Sequence, residues 1–222
     1  MKNKAVRFFS LIFLTVSLAD VTVTAFELHG VHFIVKPLLM PALMLLLVFY
    51  KAGTSNKGWL ITGLFSSFLG DVFLLFENKN GLFFILGLAS FLITHFCYII
   101  FFLKIRSSQI SLLRQQPWLG ALVAAYGCSL VMLLYPNLGP LKVPVMIYAF
   151  VICFMLVCSL HIFYKIGRPA NVYFVAGALC FVISDSLLAI NKFISPFPLA
   201  GIFIMATYCV AQFCIVKGFT EI

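Results

Sequence analysis

Residues 65–81 read FSSFLGDVFLLFENKNG. One carboxylate, Asp71, stands among Ser, Phe, Leu and Val, and the apolar run stops at Glu77-Asn78-Lys79-Asn80-Gly81. An isolated buried carboxylate is costly. At the centre of a membrane-spanning helix the cost is about 2.5–3.5 kcal/mol on insertion scales, and such residues mark functional sites by default. The meaning of this stretch depends on whether the residues around it form a membrane span, and on what else in the chain shares Asp71's environment.

The 222 residues are 64% hydrophobic and 9% charged. A soluble domain carries about 25% charged residues, so this chain has too few charges for a water-facing surface and is an integral membrane protein. Its apolar runs are continuous and about 20 residues long, as membrane helices require; a transmembrane barrel would alternate in segments of about ten. The net charge is +9. Its basic residues sit between apolar runs, which fits orientation in a bilayer and not nucleic-acid binding. The seven Cys lie inside apolar runs and form no CxxC pair. They are expected to be small buried fillers, not disulfides or metal ligands.

The expected fold is all-α: one transmembrane domain, 1–222, built as a polytopic bundle of eight helices. The spans are read at about 6–26, 31–50, 58–76, 82–103, 117–135, 142–164, 171–190 and 198–216. Breakers such as AGTSNKG, ENKNG, YPNLGP and NKFISPFP separate them. Lys2, Lys4, Arg7, Lys51, Lys57, Lys104, Arg106, Arg114, Lys165, Arg168 and Lys217 fall at the N-terminus, alternate loops and C-terminus; the other loops hold Lys79, Lys142 and Lys192. The positive-inside rule then puts both termini in the cytoplasm, as an even number of spans demands. The basic start and small residues near Ser17–Ala19 or Val23–Ala25 also fit a signal peptide, whose removal would leave seven spans.

At 1.5 Å per residue, Asp71 and Asp185 both lie roughly 20 Å from the cytoplasmic side, and Asp20 at a similar level. Glu27 is placed just above them, with His29 and His32 in the same outer loop. Lys36 precedes Pro37, and the residue before a proline is biased out of the α region. The regular helix is therefore expected to start at Pro37, with Lys36 at the outer lip. His95 and Tyr98 share a face at i, i+3, and Tyr208 and Gln212 at i, i+4. Structural roles compete at several of these positions. Asp20 also reads as interfacial, His95 as an interhelical hydrogen-bonding residue, Lys36 as a snorkelling anchor, and Tyr98 and Tyr208 as packing residues. Asp71 and Asp185 are read as functional.

A shift of 114 residues carries Asp71 onto Asp185, Gly63 onto Gly177, Leu74 onto Leu188, Gly87 onto Gly201 and Tyr98 onto Gln212. Spans 3–4 then repeat as spans 7–8 in the same membrane direction, a parallel repeat.

These residues resemble a known family. Gly70-Asp71-Val72-Phe73-Leu74-Leu75 is similar to its GD-x-x-LL element, and Gly87, Phe91, His95 and Tyr98 to its G-x3-F-x3-H-x2-Y element. Gly177, Ala178, Phe181, Ser184, Asp185, Leu188, Ala189 and Phe193 match its GA-x2-F-x2-SD-x2-LA-x3-F element; Lys36-Pro37, Tyr208 and Ala211-Gln212 also fit. This is the YhhN-type lysoplasmalogenase family of eight-span membrane proteins. The resemblance implies hydrolysis of the vinyl-ether bond of lysoplasmalogen, giving a fatty aldehyde and a glycerophospho-headgroup. It implies Asp71 and Asp185 as the catalytic pair. Lys36, His95, Tyr98, Tyr208, Gln212, Asp20 and Ser184 are the candidate substrate-binding residues. The expected partners are the lysophospholipid, water and the lipid bilayer, and the expected location is the bacterial cytoplasmic (inner) membrane.

The chemistry suits two acids. A vinyl ether is cleaved when a proton reaches its β-carbon and water captures the resulting oxocarbenium ion. Two carboxyls close together in an apolar site do not both ionise readily, so one keeps its proton while the other carries charge. No metal, nucleotide or other cofactor is needed, and which Asp is the acid stays open. Two further classes compete. A lipid or small-molecule transporter or flippase would also use midplane carboxylates and a repeat. A zinc amidase would need about three inward-facing ligands, whereas His29 and His32 are placed at the outer loop, leaving His95 and His161 deeper in spans.

Overall fold

In the computed structural model, which describes residues 2–26, 28–50, 56–105 and 109–222, every regular element is helical. Glu27, Lys51 and Arg106, and the side chains of Lys2 and His29, lie outside the described residues. The elements are α1 (Lys2–Ala25), α2 (His29–Val35), α3 (Leu39–Phe49), α4 (Lys57–Leu75), α5 (Gly81–Leu103), α6 (Leu112–Gln115), α7 (Trp118–Leu134), α8 (Lys142–His161), α9 (Ala170–Phe193) and α10 (Ala200–Thr220). Short 3-10 turns occupy Lys36–Leu38, Tyr135–Asn137 and Gly139–Leu141. Eight segments are long and apolar enough to cross a membrane: Lys4–Ala25, Gly30–Phe49, Lys57–Leu75, Gly81–Leu103, Trp118–Asn137, Gly139–His161, Ala170–Phe193 and Ala200–Thr220. They indicate a multi-pass membrane protein. Helices suit that solvent because their backbone groups are paired within each segment.

Polar residues end these helices where the breakers were read. Asn80 Oδ1 accepts from Leu82 N at 2.9 Å at the start of α5, an arrangement that satisfies an orphan donor of the first turn. Ser111 Oγ accepts from Leu113 N at 3.1 Å at the start of α6. Asn191 Oδ1 accepts from Phe197 N at 3.2 Å in the turn between α9 and α10.

Span 2 departs from expectation. The chain is already helical from His29, and Lys36 itself is α-helical at φ −56°, ψ −45°. The pre-proline clash is relieved by tightening, not by ending the helix. Residues 36–38 form a 3-10 turn, with Leu39 N donating to Lys36 O, before α3 resumes. Lys36 is 8% exposed, so it is a buried residue at a break inside the span, not a cation at an open lip.

The contacts divide the chain into two compact units, residues 1–101 and 102–222. In the first, α1 packs on α3 and α3 on α4. The stripe Val6, Phe13, Ser17, Asp20 of α1 is buried at helical spacing. α4 buries Leu60, Gly63, Leu64, Ser67, Gly70 and Asp71, again one face. A Cβ on Gly63 would lie 2.6 Å from Tyr98 Cε1, so α4 and α5 approach closely where no side chain fits. Ser67 Oγ and Thr94 Oγ1 share a hydrogen bond at 2.9 Å, and Thr94 Oγ1 donates to Gly63 O at 3.0 Å.

In the second unit the dominant packing is α9 on α10, with α8 on α9 and α7 on α8. A Cβ on Gly177 would stand 2.8 Å from Ile215 Cγ1 and 2.9 Å from the Ala211 backbone oxygen. A backbone atom cannot swing aside as a side chain can. Gly177→Val is therefore expected to lose about 1–3 kcal/mol of stability through overpacking, seen as a lower melting temperature of the purified protein in detergent. No disulfide links the seven cysteines. Cys97, Cys158 and Cys209 are buried fillers as expected, but Cys128 is exposed.

Candidate functional site

In the first unit the polar residues collect along residues 32–36. His32 and Lys36 are one turn apart, so they share a face, and each meets a carboxylate from another helix. Lys36 Nζ lies 4.0 Å from Asp71 Oδ1. Asp71 ends the buried face of α4 and is 2% exposed. His32 Nδ1 lies 3.2 Å from Asp20 Oδ1 and 3.5 Å from Thr24 Oγ1. Asp20 is 0% exposed. The His32 contact is close but misaligned, so neither Asp20 oxygen receives a hydrogen bond; Ser17 Oγ, one turn earlier, has no hydrogen-bond partner either. Asp20 lies inside the unit, against the imidazole of His32.

The partner helix α5 carries His95 and Tyr98, both fully buried. Tyr98 lies against Gly63, the packing position its spacing also allowed.

In the second unit Asp185 is half-buried on α9. Tyr148 of α8 donates its hydroxyl to Asp185 Oδ2 at 2.5 Å. The next residue, Ser186, accepts from Tyr126 Oη of α7 at 2.7 Å and donates to Val182 O at 2.6 Å. These groups line a cavity of about 40 Å³ with Leu134 and Ile152, which has room for a water molecule. Asp185 thus sits where three helices meet, with one oxygen held by a phenol and a small, mostly apolar cavity beside it.

The other candidates of this unit lie on α9 and α10. Ser184 Oγ donates to Ile204 O at 3.0 Å. The Tyr208 ring meets Phe181 edge-on, with centroids 5.6 Å apart. Gln212 is 0% exposed.

Sequence reasoning missed Tyr148, Tyr126, Ser186 and the role of His32. Tyr148 lies 37 residues from Asp185 in the chain, so no local spacing pairs them. The available signal was a phenol in the middle of VPVMIYAFV, since a buried Tyr hydroxyl needs a partner. Among the described residues no three His, Cys, Asp or Glu are grouped to hold a metal ion.

The sequence is similar to that of known proteins. Residues 31–219 match the YhhN family. The chain is 33% identical over 166 residues to "Lysoplasmalogenase TMEM86A" of Homo sapiens, covering 73% of this chain and 65% of that protein. It is 29% identical over 200 residues to "Lysoplasmalogenase" of Mycobacterium tuberculosis, covering 87% and 73%. The match thus spans slightly under two thirds of the human relative. No solved structure matches. The chain belongs to the YhhN family.

Proposed function

We propose that this protein is a lysoplasmalogenase-like hydrolase, cleaving the vinyl-ether bond of a lysoplasmalogen with Asp71 and Asp185 as its two acids. The observation that carries the reading is a carboxylate on each of two membrane helices, in a chain about 30% identical to proteins named lysoplasmalogenase. Asp71 is nearly buried beside Lys36, and Asp185 is held by Tyr148 beside a cavity.

In the proposed reaction one carboxyl gives its proton to the β-carbon of the enol ether. The ether oxygen feeds its lone pair into the adjacent carbon, forming an oxocarbenium ion that the other, ionised carboxylate stabilises. Water adds to that carbon and gives its proton to a carboxylate. The hemiacetal then breaks: a carboxyl protonates the glycerol oxygen, which leaves, while the hemiacetal hydroxyl gives its proton to a carboxylate and the former ether carbon becomes the carbonyl of a fatty aldehyde. One water is consumed, and both acids return to their starting states. Lys36 is proposed to face the phosphate as a point charge.

Incubating purified protein with lysoplasmalogen and with an ester lysolipid tests this. Aldehyde from the first alone is expected; no aldehyde from either overturns it. Tyr148→Phe removes only the hydroxyl that orients Asp185. An expected drop of about tenfold in kcat follows from losing one hydrogen bond to a carboxylate, with the melting temperature little changed. An unaltered kcat would make Tyr148 a packing residue.

The arrangement in the membrane is part of the proposal: a single transmembrane domain with both termini cytoplasmic, in a bacterial inner membrane. So is the parallel repeat. The 114-residue shift carries Ser67 and Thr94 onto Phe181 and Tyr208. The first pair is hydrogen-bonded between α4 and α5, and the second pair stacks edge-on between α9 and α10. Equivalent positions touch in both hairpins, which supports a common origin.

One observation favours the second reading, a lipid or small-molecule transporter. Span 2 tightens into a 3-10 turn at Lys36–Leu38 beside the Lys36–Asp71 pair, and helix irregularities at charged groups are a feature of transporters. Movement of labelled lysolipid between leaflets of proteoliposomes without aldehyde formation would favour it.

A further inference from the structure

A groove of about 320 Å³ runs between α7 and α8. Its walls include Ala124, Cys128 and Met132 of α7 and Met146 and Phe150 of α8. These positions recur at helical spacing on the facing sides of both helices. Small residues make the hollow: Ala124 and Ala149 leave space that larger side chains would fill. At its floor the helices close up, since a Cβ on Gly127 would lie 2.9 Å from Cys153 Sγ. Eight residues separate Ala124 from Met132, so the groove is about 12 Å long. No charged, amide or hydroxyl side chain lines it.

The groove does not stand alone. Gly127, Ala149 and Cys153 line both it and the small cavity that holds Asp185, Tyr148, Tyr126 and Ser186. The apolar trough therefore borders, across these residues, a cavity lined by three hydroxyls and one carboxyl. Its volume lies in the range of about 300–1,000 Å³ usual for small-molecule sites, which pair an apolar body with a few convergent polar groups. Met132 and Met146 add unbranched, adaptable walls.

We propose that the α7–α8 groove binds the single hydrocarbon chain of the lysolipid substrate, setting its ether end against Asp185. This rests on the hydrolase reading above. One trough takes one chain, so a one-chain amphiphile fits where a two-chain phospholipid leaves its second chain unhoused. Both walls belong to membrane spans, so the chain can enter sideways from the bilayer without passing through water.

The test uses the full-length protein in phospholipid nanodiscs and a non-cleavable alkyl lysophosphoethanolamine carrying a diazirine in its chain. After illumination, adducts are mapped by mass spectrometry. Labelling is expected on residues 124–132 and 146–153, competed by unlabelled alkyl lysolipid and not by an equal concentration of diacyl phospholipid. Ala124→Trp fills the groove from an exposed position. It is expected to cut that labelling at least about fivefold and raise KM for a long-chain lysoplasmalogen about tenfold. Phe203→Ala, on the exposed side of α10, is the control expected to change neither.

Adducts spread over other helices, or equal competition by diacyl lipid, would overturn the chain site even if aldehyde is released. Labelling confined to the groove without any aldehyde release would keep the chain site and overturn the hydrolase reading. Because the labelling pattern is read on the unmutated protein, misfolding of Ala124→Trp does not remove the test.

Discussion

Asp185→Asn is expected to lower fatty-aldehyde release by about 10²–10⁴-fold, the usual contribution of a positioned general acid or base. Asn keeps the shape of the side chain, and its amide oxygen can still accept the Tyr148 hydroxyl that now reaches Oδ2 at 2.5 Å. The cavity wall is thus preserved, and only the transferable proton and the negative charge are lost. A melting temperature close to that of the unmutated protein should accompany the loss. Asp71→Asn is expected to do the same to the rate. If the two acids act in one reaction, the double variant will be little worse than either single one, because groups that act as a unit are far from additive. Aldehyde release at the normal rate by either single variant would end the two-acid scheme.

Lys36→Met comes next in expected size. Met keeps much of the length of the Lys stem and removes the charge from a side chain that is only 8% exposed. Removing one member of a buried ion pair costs about 3–5 kcal/mol in well-formed cases; the 4.0 Å separation from Asp71 argues for the lower end, about 3 kcal/mol. The melting temperature should fall accordingly. In an Asp71→Asn background the same substitution should cost less, since the charge it served is gone. A rise in KM in the surviving protein would report the proposed phosphate contact. If melting and KM both stay put, Lys36 is a snorkelling anchor and nothing more.

Much of the fold was readable because lipid imposes a simple rule. Spans must be apolar for about 20 residues, and the eight expected segments coincide with eight helices to within a few residues. Span 2 shows the limit. The bias of a pre-proline residue is real, yet Lys36 stays helical and opens a 3-10 turn inside the span. The candidate site was readable where a charge stood alone in an apolar run, as at Asp71, Asp185 and Asp20. It was not readable where the partner was a hydroxyl or an imidazole far along the chain. Tyr148, Tyr126 and His32 look ordinary in sequence; tertiary packing alone gives them their partners. Ser184, beside Asp185, drew attention by adjacency, yet its proton is committed to Ile204 O.

Gly177 lets α9 and α10 lie so close that no side chain would fit between them there, whereas α7 buries only Val123 and Leu134 along its length. The second unit is therefore stiff on one side and loosely clasped on the other. A strut of two locked helices would hold Asp185 still while the outer helix breathes. Any gate for a molecule arriving from the bilayer belongs to α7, and slow local opening should be sought there, by hydrogen exchange, before it is sought anywhere near α10.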